Sequence, residues 1–206
     1  MDRSDRSGIE TARSSDAAGS DADGIPGSTH FVSVYAYADF ALVDGPRIRC
    51  EAVPGLSAFA ASRRVQKLAS GQLCVELRRI MTHYQSDEPA VAIEQHHARE
   101  SSGTLTSSRP GALLPGNVAF SHYLILTLAG RPFANPKPLV LVASDVGQWP
   151  PIGCRFASEE PTAFVDLELI DDPDAPTVAH LVEFTSVSVG DVGHAMPREH
   201  RDRTVG

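Results

Sequence analysis

The sequence predicts an all-β fold: an antiparallel two-sheet β-sandwich of about nine strands, with one short helix and disordered tails. Three observations carry that expectation. Apolar residues recur with a period of two through most of the chain, as they do on half-buried strands. Clusters of Gly, Pro, Asn and Asp separate the runs, and these residues punctuate turns. Strand-like and helix-like segments do not alternate, so a doubly wound nucleotide-binding fold is not expected.

The clearest strand is Arg47-Ile48-Arg49-Cys50-Glu51-Ala52. Ile48, Cys50 and Ala52 take one face, and Arg47, Arg49 and Glu51 take the other, the pattern of an antiparallel strand with one wet side. Leu73, Val75 and Leu77 alternate in the same way with Cys74, Glu76 and Arg78. In a long run further on, Val118, Phe120, His122, Leu124, Leu126 and Leu128 share a face. Leu139-Val140-Leu141-Val142 is apolar without a break, which predicts a central strand covered on both faces. Ala163, Val165, Leu167 and Leu169 alternate with Phe164, Asp166 and Glu168. Further strands are expected over 31–42, 90–99, 103–107 and 177–189.

One segment follows a different period. Ala58, Ala61, Val65 and Leu68 are spaced by three and four, with Arg63, Arg64 and Lys67 off that stripe. Ser57 is a fitting cap and Gly71 a fitting stop. This predicts a short amphipathic helix over 56–69.

The domain is expected over 29–190. Residues 1–28 read as a polar tail with too few apolar side chains to offset ordering entropy, and 191–206 as a frayed end rich in Arg and His. The chain of 206 residues fits one domain. No apolar run approaches the ~20 residues of a membrane helix, so no membrane span is expected. With 18 Lys and Arg against 26 Asp and Glu, the net charge is −8. That argues against a nucleic-acid partner, since binding phosphates needs clustered cations. The first residues lack the apolar stretch of a secretory leader, and the cysteines number three. Both point to a cytoplasmic protein with reduced thiols. The excess of Arg over Lys fits a bacterial, GC-rich genome.

Catalytic fingerprints are absent from the sequence: no G-x-S-x-G, Walker A, H-E-x-x-H or G-x-G-x-x-G occurs. Two constellations remain. Glu94 and His96 share a parity on one expected strand, and His122 lies on another. Together they form a candidate set of carboxylate and imidazole ligands for a divalent metal. The structural alternative for His122, set among Val118, Phe120 and Leu124, is a core histidine held by a hydrogen bond. The second constellation is the loop Gln148-Trp149-Pro150-Pro151, with Arg155 just beyond. It offers the single tryptophan on a stiffened backbone and is a candidate binding patch.

The leading functional expectation is a binding or assembly module on a β-sandwich, with a protein partner or self-association. The alternatives are a metal-dependent enzyme using His96, Glu94 and His122, and a carrier of an apolar small molecule held between the sheets. No particular cofactor is indicated.

Overall fold

The computed structural model describes residues 25–192. Residues 1–24 and 193–206, which contain most of both expected tails, lie outside the described range. The described chain folds into twelve antiparallel strands. They are β1 (Thr29–Leu42), β2 (Arg47–Lys67), β3 (Leu73–Asp87), β4 (Ala90–Gln95), β5 (Ser101–Ser107) and β6 (Gly116–His122). These are followed by β7 (Leu124–Leu128), β8 (Arg131–Ala134), β9 (Leu139–Val146), β10 (Arg155–Ser158), β11 (Thr162–Asp166) and β12 (Ala179–Asp191).

The antiparallel all-β class is the one the alternation predicts. The strand order runs β1-β2-β3-β4-β7-β8-β11-β12-β10-β9-β6-β5, with further pairings β1–β12 and β3–β5. The two facing layers are thus joined along both sides and form the walls of one closed barrel. Strands β1, β2, β3 and β12 run unbroken, whereas β4/β5, β6/β7, β8/β9 and β10/β11 are each one stave interrupted near its middle. Counted this way, every stave pairs with its sequence neighbours and the last pairs with the first. That is an up-and-down meander of eight staves, an arrangement that leaves no open sheet edge.

Three local expectations are corrected. Residues 56–69 are not helical, because β2 continues as strand to Lys67. There, Ser57, Phe59 and Ala61 point inward, and irregularities in the β2–β3 pairing at Ala58/Phe59 and Ala61/Val65 absorb the shifted apolar spacing. Pairing with both β1 and β3 overrides the helical preference of the alanines. In β9, Leu139 and Leu141 are buried but Val140 is 38 % exposed, so only one face is covered. In β11, Phe164 is inside and Ala163 is not, and Leu167–Leu169 form a 3-10 turn instead of more strand.

The breaks in the staves lie at one level, the waist of the barrel. Across them, the His96 amide donates to the Tyr123 carbonyl at 2.8 Å. Asn135 bridges the gap beside them: its Oδ1 accepts from the Leu124 amide at 2.6 Å, and its Nδ2 donates to the His122 and Lys137 carbonyls at 2.8 and 2.7 Å. On one side of the waist the inward faces are apolar, with Phe40, Ile93, Leu126, Phe133, Phe164 and Leu181 all buried. Tight turns close that end. The β7–β8 turn is Ala129-Gly130, with φ of 47° and 80°, the doubly positive geometry of a two-residue hairpin. At the other end Ile25 and Leu113 are buried, and Trp149 and Ile152 pack against the core as half-buried lids.

Candidate functional site

The inward positions next to the waist carry buried polar side chains, some of them without hydrogen-bond partners. On β3 the inward parity runs Val75, Leu77, Arg79, and then, past an irregularity, Thr82 and Tyr84. Arg79 is only 6 % exposed. Its guanidinium lies over the Phe120 ring, 4.8 Å from the centroid. Its Nε has no hydrogen-bond partner, and among the described residues it makes no ion pair. A guanidinium does not give up its proton in a protein, so this is a cation buried without a counter-charge. Burial pulls its pKa down from the usual arginine value, and Tyr84 opposes that shift.

His122 ends β6 on the same inner face, 1 % exposed. Its ring stands 5.4 Å from Phe120, centroid to centroid. Neither ring nitrogen has a partner. Burial, and secondarily the Arg79 charge, hold its pKa well below the ordinary histidine value, so the ring is neutral and has one donor and one acceptor to offer. Leaving such a buried group unsatisfied costs about 1–3 kcal/mol. Every orphan buried side-chain atom among the described residues belongs to Arg79, Gln95, His96 or His122. All four lie at or next to the breaks in the staves.

The aromatic rings around this belt are seated by glycines. A Cβ on Gly103 would sit 2.5 Å from Phe120 Cδ1, and one on Gly55 would overlap Tyr84. Gly55 and Gly103 are the register partners of Tyr84 and Phe120 on the neighbouring strands and leave room for those rings; the Tyr84 hydroxyl lies 2.8 Å from Ser186 Oγ. Across β2–β3, Phe59 faces Arg79 in register.

The comparisons give a fold and nothing more specific. No protein-family model matches the sequence, and no curated protein does. A solved structure shares the architecture: DynF from the dynemicin biosynthesis pathway of Micromonospora chersina. It is 18 % identical, with a TM-score of 0.66 over 81 % of this chain and 82 % of that one. At that identity the likeness establishes a shared all-β architecture.

The expected metal ligands are dispersed. Glu94 is half-exposed on the outer face and pairs with His83 Nδ1 at 3.2 Å. His96 follows β4 in a turn, where its Nδ1 accepts from the Ala98 and Arg99 amides, both at 3.1 Å. That nitrogen is committed to holding the turn. His122 is inside the barrel. Among the described residues, no group of three or more His, Cys, Asp or Glu is placed to hold a metal ion.

The expected binding loop lies over one end of the barrel. Trp149 is half-buried, 5.2 Å from Phe59 and 6.2 Å from His30, edge-on to both rings, and its Nε1 donates to Ser28 Oγ at 3.1 Å. Gln148 is exposed and donates to the Ile152 carbonyl at 3.0 Å. Arg155 donates to Thr185 Oγ1 on the outer wall at 3.2 Å. The three are thus not gathered on one patch. All three cysteines are free, and burial pushes the Cys50 and Cys154 thiols up, away from the reactive thiolate. Of the four residues with orphan atoms, His96 and His122 stand out in the sequence, and Arg79 and Gln95 do not. The signal was present, because the parity of Leu73, Val75 and Leu77 reaches Arg79 in one more step.

Proposed function

We propose that the protein is a binding barrel that holds a small organic molecule at its waist, among Arg79, His122 and the rings of Phe59, Phe120 and Phe156. The carrying observation is the orphan belt itself. A folded chain pairs its buried polar groups, and groups it leaves unpaired inside a closed wall are available to a ligand. Eight staves give an interior of the size that holds one small ligand when side chains do not fill it. Of the three readings of the sequence, this is closest to the carrier, with the difference that the lining is partly polar. Trp149 fits as a lid beside Phe59.

Native mass spectrometry of untagged, gently purified protein tests this reading. The expected spectrum contains a discrete small-molecule adduct that collisional activation removes. Protein that stays bare when purified, and that takes up no member of a small-molecule panel, overturns the reading.

A second reading, assembly, draws on the outer face of the β1–β12 seam. Tyr35 and Tyr37 are 42 % and 44 % exposed, Val189 is 47 % exposed, and Tyr35 faces Val187 in register. The same spectrum reports subunit count, and Tyr35→Lys with Tyr37→Lys should split any dimer formed on that strip.

A further inference from the structure

We propose that the waist takes the head of a monoanionic ligand, a carboxylate, with the Arg79 guanidinium as its counter-charge; this rests on the binding-barrel reading above. Among the described residues, Arg79 is the single buried Lys or Arg. The one buried acid among the described residues, Asp39, does not serve it. Asp39 lies on the outward parity of β1, and its carboxylate accepts from Arg47 Nε at 2.6 Å and Arg49 at 3.3 Å. The interior therefore carries a net positive charge that no residue of the described chain neutralises.

The chemistry of the belt selects the class of head group. A guanidinium presents a planar fork that matches a carboxylate through two parallel hydrogen bonds. Neutral His122 adds one N–H toward the same head without adding charge, whereas the Tyr84 hydroxyl is already engaged by Ser186. A dianionic phosphate would leave a charge uncompensated, because the belt holds one cation. An alcohol or amide would leave the guanidinium charge unmatched. Around the Phe120 ring beside Arg79, the side chains of Phe59, Phe156 and Leu141 are buried and apolar, so the body of a molecule held there would be apolar.

The test is isothermal titration calorimetry of the full chain with decanoate and with decanol, which share a chain and differ in charge. Wild type should bind decanoate at least tenfold more tightly than decanol. Arg79→Met should abolish that preference, bringing the two affinities within twofold of each other, and Arg79→Gln should do the same if the methionine variant does not fold. Equal affinity for the two ligands in wild type, or a preference that survives in the Arg79 variants, overturns the carboxylate assignment while the barrel reading stands. Binding of neither ligand, together with a bare native spectrum, overturns the barrel reading and this inference with it.

Discussion

Two buried polar regions lie within a few residues of each other at the waist, and they differ in what the chain does for them. Asn135 is fully buried and spends its amide on three main-chain groups freed by the breaks in the staves. It is a structural polar residue, and its partners come from the fold. Arg79 and His122 are also buried, yet each lies against the Phe120 ring, and Arg79 Nε and both His122 ring nitrogens have no hydrogen-bond partner. Burial of a polar group thus does not by itself mark a site. Burial without a partner sets a group apart, because the unsatisfied group lowers stability and its presence needs another explanation.

The largest effect is expected at Asn135. Asn135→Ala removes the bridge and leaves the Leu124 amide and the His122 and Lys137 carbonyls unpaired. Stability should fall by about 3–4 kcal/mol, judged from about 1–1.5 kcal/mol per hydrogen bond, as read by urea denaturation. His122→Leu removes two orphan atoms and should be neutral or slightly stabilising. A loss as large as that at Asn135 would erase the distinction between the two regions.

The pH dependence sharpens the same contrast. His122 is neutral in the fold with its pKa well below the ordinary value, while the unfolded chain protonates it near pH 6.5. The unfolded state then binds more protons, so stability rises with pH up to about 6.5 and is flat above it as far as this group is concerned. Stability should fall below that pH with a slope approaching about 1.4 kcal/mol per unit. His122→Leu should flatten this limb, as measured by denaturation between pH 5 and 8. Asp39 acts in a lower window. Its carboxyl is held down first by the Arg47 hydrogen bond, so its contribution is present above the usual carboxylate pKa and fades as acid takes the pH below it.

Smaller effects are expected at the rim. Trp149→Ala should cost about 1–2 kcal/mol, because a half-buried ring loses its packing on Phe59, with far-ultraviolet circular dichroism unchanged. Glu94→Gln should change stability by less than about 0.5 kcal/mol, since the pair with His83 is exposed. A larger loss there would revive a role for Glu94.

The strands were legible because alternation reports one dry face and one wet face, and a barrel wall has both. Cys50, Val75, Leu77, Phe120 and His122 all point where their parity predicts. The continuation of β2 through 56–69 was hidden by alanines that suit a helix and by irregular pairing that displaces the apolar residues. The interruptions at Tyr123 and Asn135 were hidden because they depend on a neighbouring stave breaking at the same level, which is a long-range fact. Ring closure is equally non-local, since β1 meets β12 across almost the whole chain. Arg79 was overlooked because an arginine in an alternating strand is ordinarily on the wet face.

Whether Arg79 is kept for a ligand and not for the fold is read most directly from the stability of the ligand-free Arg79→Met variant. A cation buried without a counter-charge lowers stability, and apolar replacement relieves it. The variant should therefore unfold at higher urea than ligand-free wild type, by on the order of 1–3 kcal/mol, while losing its preference for decanoate over decanol. If Arg79→Met is instead destabilised by about 2 kcal/mol or more, the contact with Phe120 holds the barrel together, Arg79 is structural, and the waist is not a site.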